Sequence, residues 1–173
     1  MAGKPLHPAT THFPIASITL AGLLDILHAA ATSPSTEPFV AAAFKSLDIQ
    51  LSLALLPVLS YYAIIIALIT AIPAVLSGAW ELLRLIARDG YGTRKARTAL
   101  AHGALSNIAT GITAYNWWSR RAVEGFAPST LNVALSAALA MPVMVFAASL
   151  GGDLVYSQGM GVGRSKDTGK KTQ

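Results

Sequence analysis

Residues 49–80 read IQLSLALLPVLSYYAIIIALITAIPAVLSGAW, without one charged side chain between Asp48 and Glu81. About 20 mostly apolar residues suffice to carry a helix across the hydrocarbon core of a bilayer. This stretch exceeds that length and shows no polar stripe at the helical period, as a buried helix of a soluble bundle would. Three more stretches lack charge, at residues 5–24, 98–119 and 125–152. The pattern predicts an all-α integral membrane protein, a four-helix transmembrane bundle with helices near residues 13–31, 53–76, 99–118 and 131–150. One domain would occupy residues 1–163, with a polar, lysine-rich disordered tail at 164–173.

Composition agrees. The 173 residues are 53% hydrophobic and only 12% charged, against about 25% charged in ordinary soluble domains. Mean hydropathy is +0.52. The chain has no cysteine, which excludes disulfides, zinc–thiolate sites, iron–sulfur clusters and cysteine nucleophiles. The first apolar run is broken by Asp25 and His28 and lacks a convincing cleavage site, so it reads as a retained helix rather than a signal peptide.

The basic pI of about 9.8 follows from topology. With four spans, the N-terminal side carries Lys4, Arg84, Arg88, Arg94, Lys95, Arg97, Arg164, Lys166, Lys170 and Lys171, and the other side only Lys45, Arg120 and Arg121. The positive-inside rule places both termini in the cytosol. No basic face interleaved with stacking aromatics is present, so a nucleic-acid partner is not expected. The partner is the lipid bilayer, of an organelle the residues do not name. Residues 32–50 open as a Ser/Thr/Pro loop and continue as a weakly amphipathic stretch suited to the membrane surface. Residues 81–97 form a basic hairpin about Asp89-Gly90-Tyr91-Gly92. No internal repeat stands out.

Ionisable groups inside a span are expensive and mark function. Folding the chain onto this topology brings His7, His12 and His102 to the cytosolic depth, beside Glu81 at the end of the second helix and Gly151, Gly152 and Asp153 at the end of the fourth. Two histidines on different helices can ligate haem iron from opposite faces. The favoured pair is His12 with His102, with His7 as substitute or supporting group and Gly103, Gly151 and Gly152 as the small residues a haem edge needs. Only His28 lies at the other depth, so one bis-histidine haem b is the limit. A non-haem transition metal on His7, His12 and His102 with Glu81 or Asp153 is the alternative.

Helix three carries a small-residue stripe, Ala99, Gly103, Asn107 and Gly111, which reads as helix packing and offers a homodimer surface. Beside it runs a polar stripe, His102, Ser106, Thr110 and Thr113. Asp25 and His28 share a face, and Arg120 or Arg121 could join them. That group reads first as a polar helix end and, more sharply, as a proton-handling site. Pro14 suits a first helical turn. Pro57, Pro73 and Pro142 are candidate kinks.

The run HPATTHFPIA at residues 7–16 resembles the opening of the membrane family called domain of unknown function 2231. Asp25, Gly78, His102 and the run GGDLVYSQGMGV at residues 151–162 extend the resemblance over nearly the whole chain. It departs after Gly78, where Trp80-Glu81 replaces the family's usual aspartate. The resemblance implies a four-helix membrane domain, sometimes accompanied by redox partners such as Rieske-type modules. The leading expectation is thus a b-type haem protein in electron transfer or haem sensing, a component of an oxidoreductase system. The competing expectations are a proton or small-solute transporter using Asp25 and His28, and a structural subunit without chemistry.

Overall fold

A computed structural model describes residues 6–160. Four long helices account for most of them: α1 (Leu6–Thr32), α3 (Leu55–Asp89), α4 (Arg94–Arg120) and α5 (Thr130–Tyr156), with a short helix α2 (Glu37–Ser46) between the first two. There is no strand among the described residues. The polar tail expected at 164–173 lies outside them.

The helices are longer than the charge gaps suggested. α1 begins at Leu6 rather than near residue 13, because the polar turn around Thr10 and Thr11 is itself helical. Its threonine hydroxyls donate back to carbonyls of the preceding turn, as such residues can within an apolar helix. Pro14 therefore sits inside α1, not in its first turn. α3 runs to Asp89 and is capped by Gly90 at φ +74°, a left-handed conformation that glycine adopts without a Cβ clash. Its 35 residues span about 52 Å, against a hydrocarbon core of about 30 Å. The basic hairpin is the protruding end of α3 joined to α4, whose N-cap is Thr93, with its hydroxyl accepting from the Ala96 amide. α2 buries none of its residues and exposes Phe39.

α1, α3 and α5 are long and apolar enough to cross a membrane. α4 is equally regular but more polar, which separates it from the four equally apolar spans expected. Part of the difference lies on its inward face, where Thr113, Asn116 and Arg120 are buried among Ala96, Ala99 and Ala109, and part in exposed Arg94, Arg97 and Asn107. Its outward face still presents Leu100, Ile108, Tyr115, Trp117 and Trp118.

The bundle is a ring in which α1 packs on α3 and α5, and α4 packs on the same two helices. α1 and α4 thus face each other across a diagonal. At the centre Ile18, Ala67, Ala109, Ala140 and Met144 meet, one or two from each helix. Alanines at this layer let the backbones approach closely, which favours association where lipid removes the hydrophobic drive.

α5 widens to a π-helix over Ala134–Ala140. Pro142 follows two residues after its end; it has no N–H to give, and its ring crowds the carbonyl four residues back. The wider turn accommodates that crowding and turns Ser136 inward, as π-bulges at special sites do.

Towards the end of the bundle opposite the start of α1 lies a wholly buried ion pair, Arg120 with Asp25, at 3.2 Å. Asp25 Oδ1 accepts from Ser60 Oγ at 2.6 Å, and Oδ2 from Ser136 Oγ at 2.6 Å. Arg120 also donates to the carbonyls of Pro57 and Phe126. Phe126 has φ +56°, uncommon for a bulky residue; its ring stacks on Tyr61 at 4.0 Å. Arg121, by contrast, stays outside over Trp118. Breaking a buried pair by removing one partner costs about 3–5 kcal/mol. Asp25→Ala is expected to destabilise the bundle by that order, with Asp25→Ala/Arg120→Leu milder than the summed single variants. Unfolding titrations in mixed micelles measure both; additive effects would contradict direct coupling.

Candidate functional site: a histidine pair on the bundle axis

His7 and Asp25 lie 18 residues apart on α1 (25 − 7), which is five helical turns, so they share a face about 27 Å apart. His102 and Arg120 repeat this interval on α4 (120 − 102). Since Asp25 and Arg120 meet across the diagonal, the two histidines must meet at the other end. Their ring centroids are 5.9 Å apart with planes at 77°.

Each ring is fastened to a neighbouring helix. His7 Nδ1 is 2.9 Å from the Ala74 carbonyl oxygen on α3, and His102 Nδ1 is 2.8 Å from the Ala147 carbonyl oxygen on α5. A carbonyl can only accept, so each Nδ1 carries the hydrogen; in the neutral imidazole Nε2 then keeps its lone pair. An Nδ1–H bonded to a backbone carbonyl is also the arrangement by which proteins orient metal-bound histidines. Ser77 Oγ lies 3.4 Å from His7 Nδ1 and from Thr10 Oγ1, adding a polar tether between α1 and α3.

One turn after each carbonyl stands a glycine under the ring. A Cβ on Gly78 would lie 2.7 Å from His7 Cε1, and one on Gly151 3.2 Å from His102 Cε1. Gly103 and Gly152 have nothing within 4 Å of an added Cβ. Gly111 is equally open, so of the small-residue stripe on α4 Ala99 packs inside the bundle while its two glycines do not.

The other sequence candidates lie elsewhere. It is His7, not His12, whose ring lies against His102; His12 is exposed on the outside of α1. Asp153 accepts from Gln158 Nε2 at 2.6 Å and lies 4.0 Å from Arg94, closing the end of α5. Glu81 is half-buried one turn beyond Gly78. Among the described residues, no three of His, Asp or Glu gather to hold one metal ion. His28 makes no hydrogen bond to Asp25, whose oxygens are taken by Ser60, Ser136 and Arg120. It lines a cavity of about 240 Å³ with Thr32, Ser33 and Thr130. Ser60 and Ser136 went unnoticed in the sequence because serine is common in apolar helices. Their inward phase relative to Asp25 becomes visible only with the bundle assembled.

These clearances make the glycines separable. In helix interiors alanine is favoured over glycine by about 0.5–1 kcal/mol. Gly103→Ala and Gly111→Ala should therefore hold or raise thermal stability in detergent, while Gly78→Ala should lower it by displacing His7. Equal melting shifts for all three would contradict the close packing of His7 on Gly78.

No curated protein and no solved structure matches the chain. A family model described as predicted membrane protein (DUF2231) matches residues 3–164. With a membrane-length apolar α1, α3 and α5 and nearly the whole chain matched, the protein belongs to the DUF2231 family of membrane proteins.

Proposed function

We propose that the protein is a b-type haem protein of the membrane that carries electrons, with His7 and His102 as axial ligands. The observation that supports it is the paired rings on the bundle axis, each with Nδ1–H committed to a carbonyl and, among the described residues, no hydrogen bond at Nε2. Centroids 5.9 Å apart are of the order that two imidazoles on opposite sides of one metal need, with nitrogen–metal bonds of about 2 Å. The ligand count favours haem over a bare ion. A bare zinc ion in a structural site takes four protein ligands, whereas a porphyrin brings its own four nitrogens and needs only an axial pair.

In this reading α4 is the fourth span. Its buried polar residues Thr113, Asn116 and Arg120 face the bundle, and its outward face, apart from the exposed Asn107, is apolar and aromatic, as a lipid-facing surface requires. The lysine and arginine bias sets both termini in the cytosol, and the histidine pair lies at the cytosolic end. A bound haem supplies one-electron chemistry. The protein's part would be to hold the two imidazoles in fixed rotation, His7 on the Ala74 carbonyl beside Gly78 and His102 on the Ala147 carbonyl beside Gly151. Two histidine ligands leave no open iron position, which favours electron transfer over oxygen chemistry. A redox partner would approach from the cytosolic side.

The test is an absorption spectrum of protein purified in detergent after expression with ample haem, oxidised and then dithionite-reduced. A sharp reduced α-band is expected, lost in His7→Ala and in His102→Ala and retained in His12→Ala. A featureless spectrum overturns the proposal. Loss in His12→Ala with retention in His7→Ala would overturn the assignment of His7.

A further inference from the structure

The two halves of the chain repeat each other at constant spacing. His102 follows His7 by 95 residues (102 − 7), and Arg120 follows Asp25 by the same 95 (120 − 25). Buried Pro14 and Ala109 keep this offset. In the second helix of each half, Ala147 follows Ala74 by 73 residues (147 − 74) and Gly151 follows Gly78 by the same 73 (151 − 78). Ala67 and Ala140, both in the central layer, also obey it. Each half has a histidine of the ring pair in the first turns of its first helix, His7 and His102. Each has an alanine carbonyl that accepts from Nδ1, and a glycine four residues later beneath the ring. The second helices run towards the end where the first helices begin, so the repeats are parallel.

We infer that α1–α3 and α4–α5 are equivalent units about an axis along the bundle, and that Gly78 and Gly151 are positioning residues that hold the two imidazoles crossed, each against the carbonyl that fixes its tautomer. The inference rests on the haem reading for its ligand, but the two sites for the rings are properties of the chain. A Cβ at Gly78 would fall 2.7 Å from the His7 ring and force it to shift, and one at Gly151 would fall 3.2 Å from the His102 ring, which would have to give by a few tenths of an ångström. The tighter clearance makes Gly78 the more sensitive of the two. Two rings held on different helices and turned 77° from each other would present crossed planes to a metal between them. Crossed imidazoles donate equally into the two iron orbitals that point above and below the macrocycle. Those orbitals stay nearly equal in energy, and the ferric low-spin signal becomes strongly anisotropic. Parallel imidazoles split them and give a resolved rhombic signal.

Two measurements test this. The first uses nitrogen-15 resonances of the histidine rings in haem-free, detergent-solubilised protein, assigned with His7→Gln and His102→Gln. Both rings should show protonated Nδ1 and unprotonated Nε2. Gly78→Ala should shift the His7 resonances and Gly151→Ala those of His102. Protonated Nε2 at either ring, or no response to either glycine variant, overturns the inference. The second is electron paramagnetic resonance of the ferric haem-loaded protein, where one dominant low-field feature is expected, lost or moved in Gly78→Ala more than in Gly151→Ala. A resolved rhombic signal in the unmodified protein overturns the crossed pair while leaving haem binding standing. Protein that takes up no haem overturns the proposed function, and the nitrogen resonances alone then decide the ring sites.

Discussion

A carboxylate and a guanidinium without solvent exposure, inside a membrane domain, must be fully partnered or the fold fails. Asp25 and Arg120 meet that demand with Ser60, Ser136 and the carbonyls of Pro57 and Phe126. The partners come from all four long helices and the turn between α4 and α5. A buried pair is weak as a source of stability against an apolar replacement, but leaving one partner alone is costly. The pair therefore acts mainly on geometry: it fixes the rotation of each helix about its own axis. The π turn of α5 belongs to the same arrangement, since it aims Ser136 at the carboxylate.

Rotation fixed at one end is transmitted to the other. α1 and α4 each place a histidine five turns from their charged residue, so aligning the charges aligns the rings. Between the two layers the core is apolar and built on small alanines, which gives the helices little freedom to turn independently. The histidine end itself is held more lightly. The cluster of Leu85, Ala99 and Leu154 joins α3, α4 and α5 there without α1, and α1 is tied by His7, Thr10 and their contacts on α3.

The membrane character was legible in the charge-free stretches, because burial in lipid forbids charge over a known length. Helix ends were not, because that rule cannot see a polar turn that remains helical, such as Thr10–Thr11, or a basic one, such as the end of α3. α4 shows the opposite limit: its charge gap is long, yet its inward polar residues lower its hydropathy. The histidine cluster was legible by depth, but depth does not resolve direction. His12 lies 13 residues before Asp25 (25 − 12), an interval that turns it to the far side of α1. The interval of 18 residues from His7 carried the answer and appears again on α4. Arg120 and Arg121 were indistinguishable by depth for the same reason, and only helical phase separates them. The glycines under the rings could not be told from ordinary small residues until α3 and α5 were seated against their partners.

The wide separation of the ion pair along the chain sets a schedule for biosynthesis. Asp25 enters with the first helix, and Arg120 arrives 95 residues later (120 − 25). At ordinary elongation rates that interval lasts about 5–20 s. During it the carboxylate is an unpaired polar group at a cost of about 2.5–3.5 kcal/mol for a central position. Ser60 reaches the membrane first and offers one hydroxyl. Within the α1–α3 hairpin the carboxylate thus has a single hydroxyl to accept from, and the last helices to be made complete what the first began.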